Sequence, residues 1–326
     1  MRNNLVHPAL RAGIRFMPRI DVTRWTLGFM RLVAPLAVPR RRVPGVSLRE
    51  VSLSAGNGRP PVRVRIHRPD DAAPGTPALL WIHGGGHLLG TAAMDDRLCG
   101  RYAKELGITV IAPEYRLAPE HPFPADLEDC YTALAWAAQA RDELGIDAAN
   151  MAIGGASAGG GLAAALAQLA RDRREVSPVF QLLVYPMLDD RTATRTDIDE
   201  AGFHLWHQRS NRYAWQAYLR SPPGSAAVPA YAVPARCDDL AGLPSAWIGV
   251  GTLDLFHDED LAYARRLRDN GVACETVVVA GAYHGFDIWS PGAAPSRQFF
   301  QAQVDALRTA LFPSRLPVHC KPEPLQ

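Results

Sequence analysis

Six short apolar runs, most of them separated by stretches of helical periodicity, narrow what this chain can fold into. They are Ala78-Leu79-Leu80-Trp81-Ile82, Ile108-Thr109-Val110-Ile111-Ala112, Met151-Ala152-Ile153, Phe180-Gln181-Leu182-Leu183-Val184, Ala246-Trp247-Ile248-Gly249-Val250 and Thr276-Val277-Val278-Val279. A strand that is apolar on both sides must be covered on both sides, which helices do when they cross over a parallel sheet. Helical patterns near 95–106, 125–143, 158–173, 258–270 and 295–311 supply that cover. Alternation in Val62-Arg63-Val64-Arg65-Ile66-His67 predicts an early antiparallel strand. The fold class is α/β: a mostly parallel central sheet flanked by helices.

One segment breaks the alternation. Residues 190–236 hold Phe203, Trp206, Tyr213, Trp215, Tyr218 and Tyr231 but no buried-strand run. That is too long for an ordinary connection and too aromatic for a disordered one, so an inserted helical cap is expected. Residues 20–38 place Val22, Trp25, Phe29, Val33 and Leu36 at helical spacing, and the basic stretch Pro39-Arg40-Arg41-Arg42-Val43-Pro44 ends that helix as a solvated linker. The expected organisation is an N-terminal cap segment over 1–45, a first core part over 46–189, the cap insertion over 190–236 and a second core part over 237–326.

Composition excludes several function classes. The chain has 326 residues, 48% hydrophobic and 21% charged, as a globular enzyme does. Its net charge of +2 gives no case for nucleic acid or an anionic membrane. Cys99, Cys130, Cys237, Cys274 and Cys320 are odd in number and widely spaced, so neither a disulfide framework nor a zinc site is expected. The N-terminus lacks a signal peptide's continuous apolar core, and residues 32–38 are too short and too broken by Pro35 to span a bilayer, so neither a signal peptide nor stable membrane insertion is expected. The expectation is a soluble cytoplasmic protein without metal or organic cofactor, and its sequence is compatible with a homodimer.

Gly155-Ala156-Ser157-Ala158-Gly159 lies between the run at 151–153 and the alanine-rich helical stretch that follows. A serine at a sharp strand-to-helix turn projects its hydroxyl above a parallel sheet, and the flanking glycines remove Cβ atoms that would clash there. Ser157 is thus a candidate nucleophile, which requires a base, a group to orient that base and donors for an oxyanion. His83-Gly84-Gly85-Gly86 follows a strand, and its backbone can approach a substrate carbonyl, so Gly85 and Gly86, with the N–H of Ala158, are the expected donors. His83 is expected to hold that loop's shape. His284 follows the last strand and precedes Gly285, which marks it as the base. Asp254, at the end of the strand run 246–250, is the orienting acid, with Asp258 as runner-up; Asp258 and Glu259 look like first-turn residues of the next helix. The order Ser157, Asp254, His284 is the order of α/β-hydrolases.

With these residues in place the chain resembles the bacterial hormone-sensitive-lipase-type esterases, a branch of the α/β-hydrolases. The resemblance rests on His83-Gly84-Gly85-Gly86, Tyr115-Arg116-Leu117-Ala118-Pro119-Glu120-His121-Pro122-Phe123-Pro124-Ala125, the serine turn with Gly159-Gly160, Asp254 with Asp258-Glu259, and His284-Gly285-Phe286. It implies esters of short to medium acyl chains, and a 115–125 stretch whose charges brace the loop beneath the site. Two positions depart from the family pattern: Ala156 stands where Asp is common, and Leu255-Phe256 where Pro-Leu is usual.

The function expected is that of a serine carboxylesterase acting on a small-molecule ester. The same residues would serve hydrolysis of an amide, lactone or carbonate. Outside enzymes the alternative is a ligand-binding protein on this fold, which the joint presence of Ser157, Asp254 and His284 argues against. Trp25, Phe29, Phe203, Leu205 and Trp206 are the expected walls of an acyl pocket under the cap.

Overall fold

The computed structural model describes residues 4–14, 21–37, 42–54, 56 and 60–313. Cys320 and Pro39, Arg40 and Arg41 of the basic stretch lie outside the described residues. In chain order the elements are α1 (Arg11–Ile14), α2 (Leu27–Ala37), β1 (Val46–Leu53), β2 (Val62–Pro69), β3 (Thr76–Ile82), α3 (Asp96–Leu106), β4 (Thr109–Glu114), α4 (Ala125–Gln139), α5 (Arg141–Leu144), β5 (Ile146–Ala156), α6 (Ala158–Arg173), β6 (Phe180–Val184), α7 (Gln208–Leu219), β7 (Ser245–Leu253), α8 (His257–Asp269), β8 (Cys274–Tyr283), α9 (Phe286–Trp289) and α10 (Ala294–Leu311).

The strands form one eight-stranded sheet in the order β1-β2-β4-β3-β5-β6-β7-β8. β2 pairs antiparallel with both β1 and β4, and every pairing from β4 to β8 is parallel. The alternation of side chains along a strand divides the core into two layers. Leu80 and Ile82 of β3 face one cluster with Leu134 of α4, Leu166 of α6 and Leu267 of α8. Leu79 and Trp81 face the other, with Tyr102 of α3 and Phe299 and Leu307 of α10. Both faces are buried, as continuous apolar strands require.

Three differences from the sequence reading have physical causes. β1 has no apolar run, because it is an edge strand whose Ser47, Arg49 and Glu50 mix with half-buried Val46 and Val51. The helical pattern at 125–143 is divided at Ala140 into α4 and α5. The helix expected over 20–38 starts only at Leu27, since Thr23 and Thr26 bond to each other's backbone and side chains in a turn and Thr26 Oγ1 donates to the Asp21 carbonyl at 2.6 Å. Val22 is buried ahead of the helix, with its N–H donated to Ser210 Oγ at 2.9 Å.

Between β6 and β7 the described chain carries 3-10 turns and α7 but no strand. A third apolar cluster gathers there, joining Val22 and Leu27 to Trp206, Trp215 and Tyr218, and to Leu88 and Ala118 from the loops above the sheet. Those loops lie beyond the carboxyl ends of the parallel strands, where α/β proteins build their sites.

Candidate active site

Ser157 is the single residue between β5 and α6, with φ 57° and ψ −122°. A side chain seldom adopts that backbone, and neighbours hold it there. Its N–H donates to Val184 O at 2.9 Å, and its carbonyl accepts from Gly161 N at 3.0 Å and Met187 N at 2.9 Å. The turn closes only because its flanks are glycine. A Cβ on Gly155 would stand 2.4 Å from the Gly159 carbonyl carbon, and one on Gly159 would stand 2.1 Å from Ile82 O. This is why a Gly-rich pentapeptide marks the turn.

Three side chains from the ends of β5, β7 and β8 meet in one row. The Ser157 hydroxyl donates to His284 Nε2 at 3.0 Å, and His284 Nδ1–H donates to Asp254 Oδ2 at 2.8 Å. Asp254 Oδ1 accepts from Phe256 N at 3.0 Å, so both carboxylate oxygens are engaged. With its proton held at Nδ1 by Asp254, the imidazole leaves Nε2 as an acceptor toward the serine. All three residues are buried. The rings of Tyr185 and Phe256 stand edge-on to the imidazole at 4.8 and 5.2 Å, and Tyr185 OH donates to half-buried Asp287 at 2.9 Å. Asp258 lies elsewhere. It is exposed and paired with Arg195 at 2.8 Å, which holds its carboxyl below the usual range.

The glycine loop lies against the serine. A Cβ on Gly84 would come within 3.4 Å of Ser157 Cβ. Gly85 has φ 130° and Gly86 φ 61°; a Cβ on Gly85 would strike Leu89 O at 1.9 Å, and one on Gly86 the Trp206 ring at 2.3 Å. Among the described residues, no backbone carbonyl accepts from the N–H of Gly85, Gly86 or Ala158. The Ala158 N–H is also the first of α6, where a helix leaves donors unused. His83 Nδ1–H donates to Gly84 O at 2.8 Å, and its ring stacks on Tyr115 with 4.2 Å between centroids. Burial pushes the His83 imidazole down to about 4, so it braces the loop as a neutral ring.

Further residues support the site, some of them, such as His87, Asp126 and Arg31, without any sequence signal. His87 (φ 60°) donates from Nδ1 to Asp126 at 2.9 Å, both buried, and stacks on Tyr218 at 3.9 Å. Arg31 of α2 donates to Leu88 O at 2.9 Å and Ala118 O at 2.6 Å while pairing with Glu120. Arg116 clamps Asp129 through the Nε–Nη2 edge of its guanidinium, both bonds at 2.8 Å. Glu120 and Arg116 belong to the 115–125 stretch, whose charges were expected to brace this region. Glu259 accepts from Leu188 N at 2.7 Å, and burial raises its carboxyl well above the usual range. Asp260, also buried, has neither carboxylate oxygen hydrogen-bonded among the described residues.

The five expected pocket residues divide. Trp206 is buried with its ring over Gly86, and Leu205 (φ 71°) sits 3.0 Å from where a Cβ on Gly285 would stand, so both flank the row. Phe203 is half-buried at the edge of the third cluster. Trp25 and Phe29 instead face solvent, 78% and 59% exposed, because Leu27, Met30 and Arg31 take the inner face of α2 and its approach. The arrangement does not bring those two to the serine. Among the described residues no three of His, Cys, Asp and Glu gather as metal ligands, and no helix is long and apolar enough to cross a membrane.

A sheet with a strand–Ser–helix turn and an Asp–His pair at its carboxyl ends defines an α/β-hydrolase. The model of a family described as alpha/beta hydrolase fold matches residues 79–288. The chain is 37% identical over 247 residues to carboxylic ester hydrolase LipN of Mycobacterium tuberculosis, covering 74% of this chain and 64% of that protein. It is 35% identical over 246 residues to an ethyl acetate hydrolase of Pseudomonas putida, covering 73% and 74%. Among solved structures, a bacterial heroin esterase superposes with a TM-score of 0.86 at 38% identity, covering 95% of this chain and 99% of that one. The chain belongs to the α/β-hydrolase family, in its hormone-sensitive-lipase-type branch of bacterial carboxylesterases.

Proposed function

We propose that this carboxylesterase hydrolyses short- to medium-chain acyl esters through an acyl-enzyme on Ser157. The unbroken hydrogen-bonded row from Asp254 through His284 to Ser157 carries the reading. His284 Nε2 takes the hydroxyl proton as Ser157 Oγ attacks the ester carbonyl, and Asp254 stabilises the imidazolium that forms. The N–H groups of Gly85, Gly86 and Ala158 stabilise the oxyanion. His284 then protonates the departing alcohol, and a water activated by the same nitrogen attacks the acyl carbon and frees Ser157.

Residues 1–45 and 190–236 act as a cap over a core formed by 46–189 and 237–326. The cluster that joins Val22 and Leu27 to Trp206, Trp215 and Leu88 supports this division. Phe203, Leu205 and Trp206 form the acyl side of the pocket, and the likeness to an ethyl acetate hydrolase favours a small acyl group. The free thiols of Cys99, Cys130, Cys237 and Cys274 fit a reducing compartment, and we place the protein in the cytoplasm.

A fluorophosphonate probe should label Ser157, and Ser157→Ala should lose the label and on the order of 10⁴–10⁶ in kcat on p-nitrophenyl esters. Labelling at another serine, or turnover retained in the variant, sinks the assignment.

A further inference from the structure

Helix α2 has two apolar faces where docking onto its own fold uses one. Leu27 and Met30 pack inward beside Arg31. On the other side stand Phe29 at 59%, Leu32 at 72% and Val33 at 36% exposure, with Trp25 at 78% one turn upstream. These four are the majority of the seven exposed large hydrophobics among the described residues, and they fall within nine consecutive positions. Residues scattered singly need no explanation, but an aromatic and aliphatic stripe on one helix does.

The overall charge of +2 conceals an asymmetry. Residues 1–42 hold nine arginines against one acid, Asp21, so the remainder of the chain is net acidic. Asp21 itself faces Arg209 at 3.8 Å. The Arg24 guanidinium lies 4.0 Å over the Trp25 ring, at the head of the stripe, and the run Arg40-Arg41-Arg42 closely follows the helix. From this combination we infer that α2 docks this protein peripherally on an anionic phospholipid surface. The stripe would enter the headgroup boundary and the flanking arginines would meet lipid phosphates. An apolar helical face with aromatic anchors and arginine flanks suits that interface. A second copy of the chain suits it poorly: a two-fold contact would set this strongly cationic segment against itself. The inference does not depend on the esterase reading, since no part of it uses Ser157.

Full-length Ser157→Ala protein, which keeps catalysis out of the readout, is floated with phosphatidylcholine vesicles and with vesicles containing phosphatidylglycerol. Binding is expected to the anionic vesicles, weakened by high salt, and weak to the neutral ones. Arg40→Gln, Arg41→Gln and Arg42→Gln combined should reduce it on the order of 100-fold. Trp25→Ser, Phe29→Ser and Leu32→Ser combined should reduce it comparably, and because these side chains are exposed the variant should unfold at nearly the parent temperature. Equal binding to both vesicle types overturns the proposal, as does binding indifferent to the serine substitutions. A dimer in sedimentation that the serine substitutions dissolve, without vesicle binding, assigns the face to a second copy instead.

Discussion

The backbone at Ser157 makes an unusual prediction about two variants of that residue. At an ordinary buried helix start, glycine in place of alanine costs stability, because the unfolded chain gains freedom worth about 0.5–1 kcal/mol. Here φ 57° and ψ −122° put a Cβ-bearing residue in a region worth about 1–3 kcal/mol of strain. Alanine keeps that strain and glycine releases it. Both lose the hydroxyl and its bond to His284, so that term cancels between them. Ser157→Gly should therefore be more stable than Ser157→Ala by about 0–2 kcal/mol, opposite in sign to the usual exchange. Entropy of unfolding for a chain this long turns 1 kcal/mol into about 1–2 °C of Tm, so urea titration should accompany calorimetry. If glycine proves less stable than alanine by more than about 0.5 kcal/mol, the turn is unstrained and the argument fails.

Asp254→Asn should lower kcat on the order of 10⁴-fold by releasing the His284 tautomer, whereas Asp258→Asn, which weakens exposed pairs with Arg195 and His257, should change it less than about threefold; the two variants assayed side by side distinguish the acids. Asp95 is half-buried, accepts from Trp81 Nε1 at 2.7 Å, and is pushed up to about 6 by desolvation. Its native pKa lies above the unfolded one, so its stabilising contribution is complete below about pH 4 and is lost as pH rises through about 6. Asp95→Asn should match wild type in urea titrations at pH 4 and exceed it at pH 8 by up to about 3 kcal/mol; an equal difference at both pH values would contradict this. Trp206→Ala should empty the space over Gly86, raising KM for butyrate esters more than for acetate esters, and an unchanged chain-length profile would remove Trp206 from the pocket.

What could be read from the sequence followed burial. The strands from β3 to β7 announce themselves because both faces are covered over a run of mainly apolar residues in each, with polar exceptions such as Gln181 in β6. β1 does not, because a sheet edge tolerates Arg49 and Glu50. Ser157, Asp254 and His284 were legible because each must sit at a strand end, a position that sequence order can locate. Beyond His83 and the charges of the 115–125 stretch, the braces were not. His87 finds Asp126, and Tyr185 finds Asp287, across separations that no local pattern encodes. Trp25 and Phe29 show the limit of periodicity, which says that a helix has a stripe but not which stripe faces inward. Leu27 and Met30 claimed the inner side.

The two-faced α2 also has a consequence for biosynthesis. It is made early, yet the side chains that cover its inner face include Leu88 and, much later in the chain, Trp206 and Trp215. At about 5–20 residues per second, translation leaves those tryptophans unmade for roughly 10–40 s after the helix is synthesised. During that interval both apolar faces are open on a nascent chain, next to a dense cluster of arginines. Like charge on those arginines would oppose the association of neighbouring nascent copies until the later residues arrive. On this reasoning, replacing them with neutral residues would lower the yield of soluble protein even where the finished fold is no less stable.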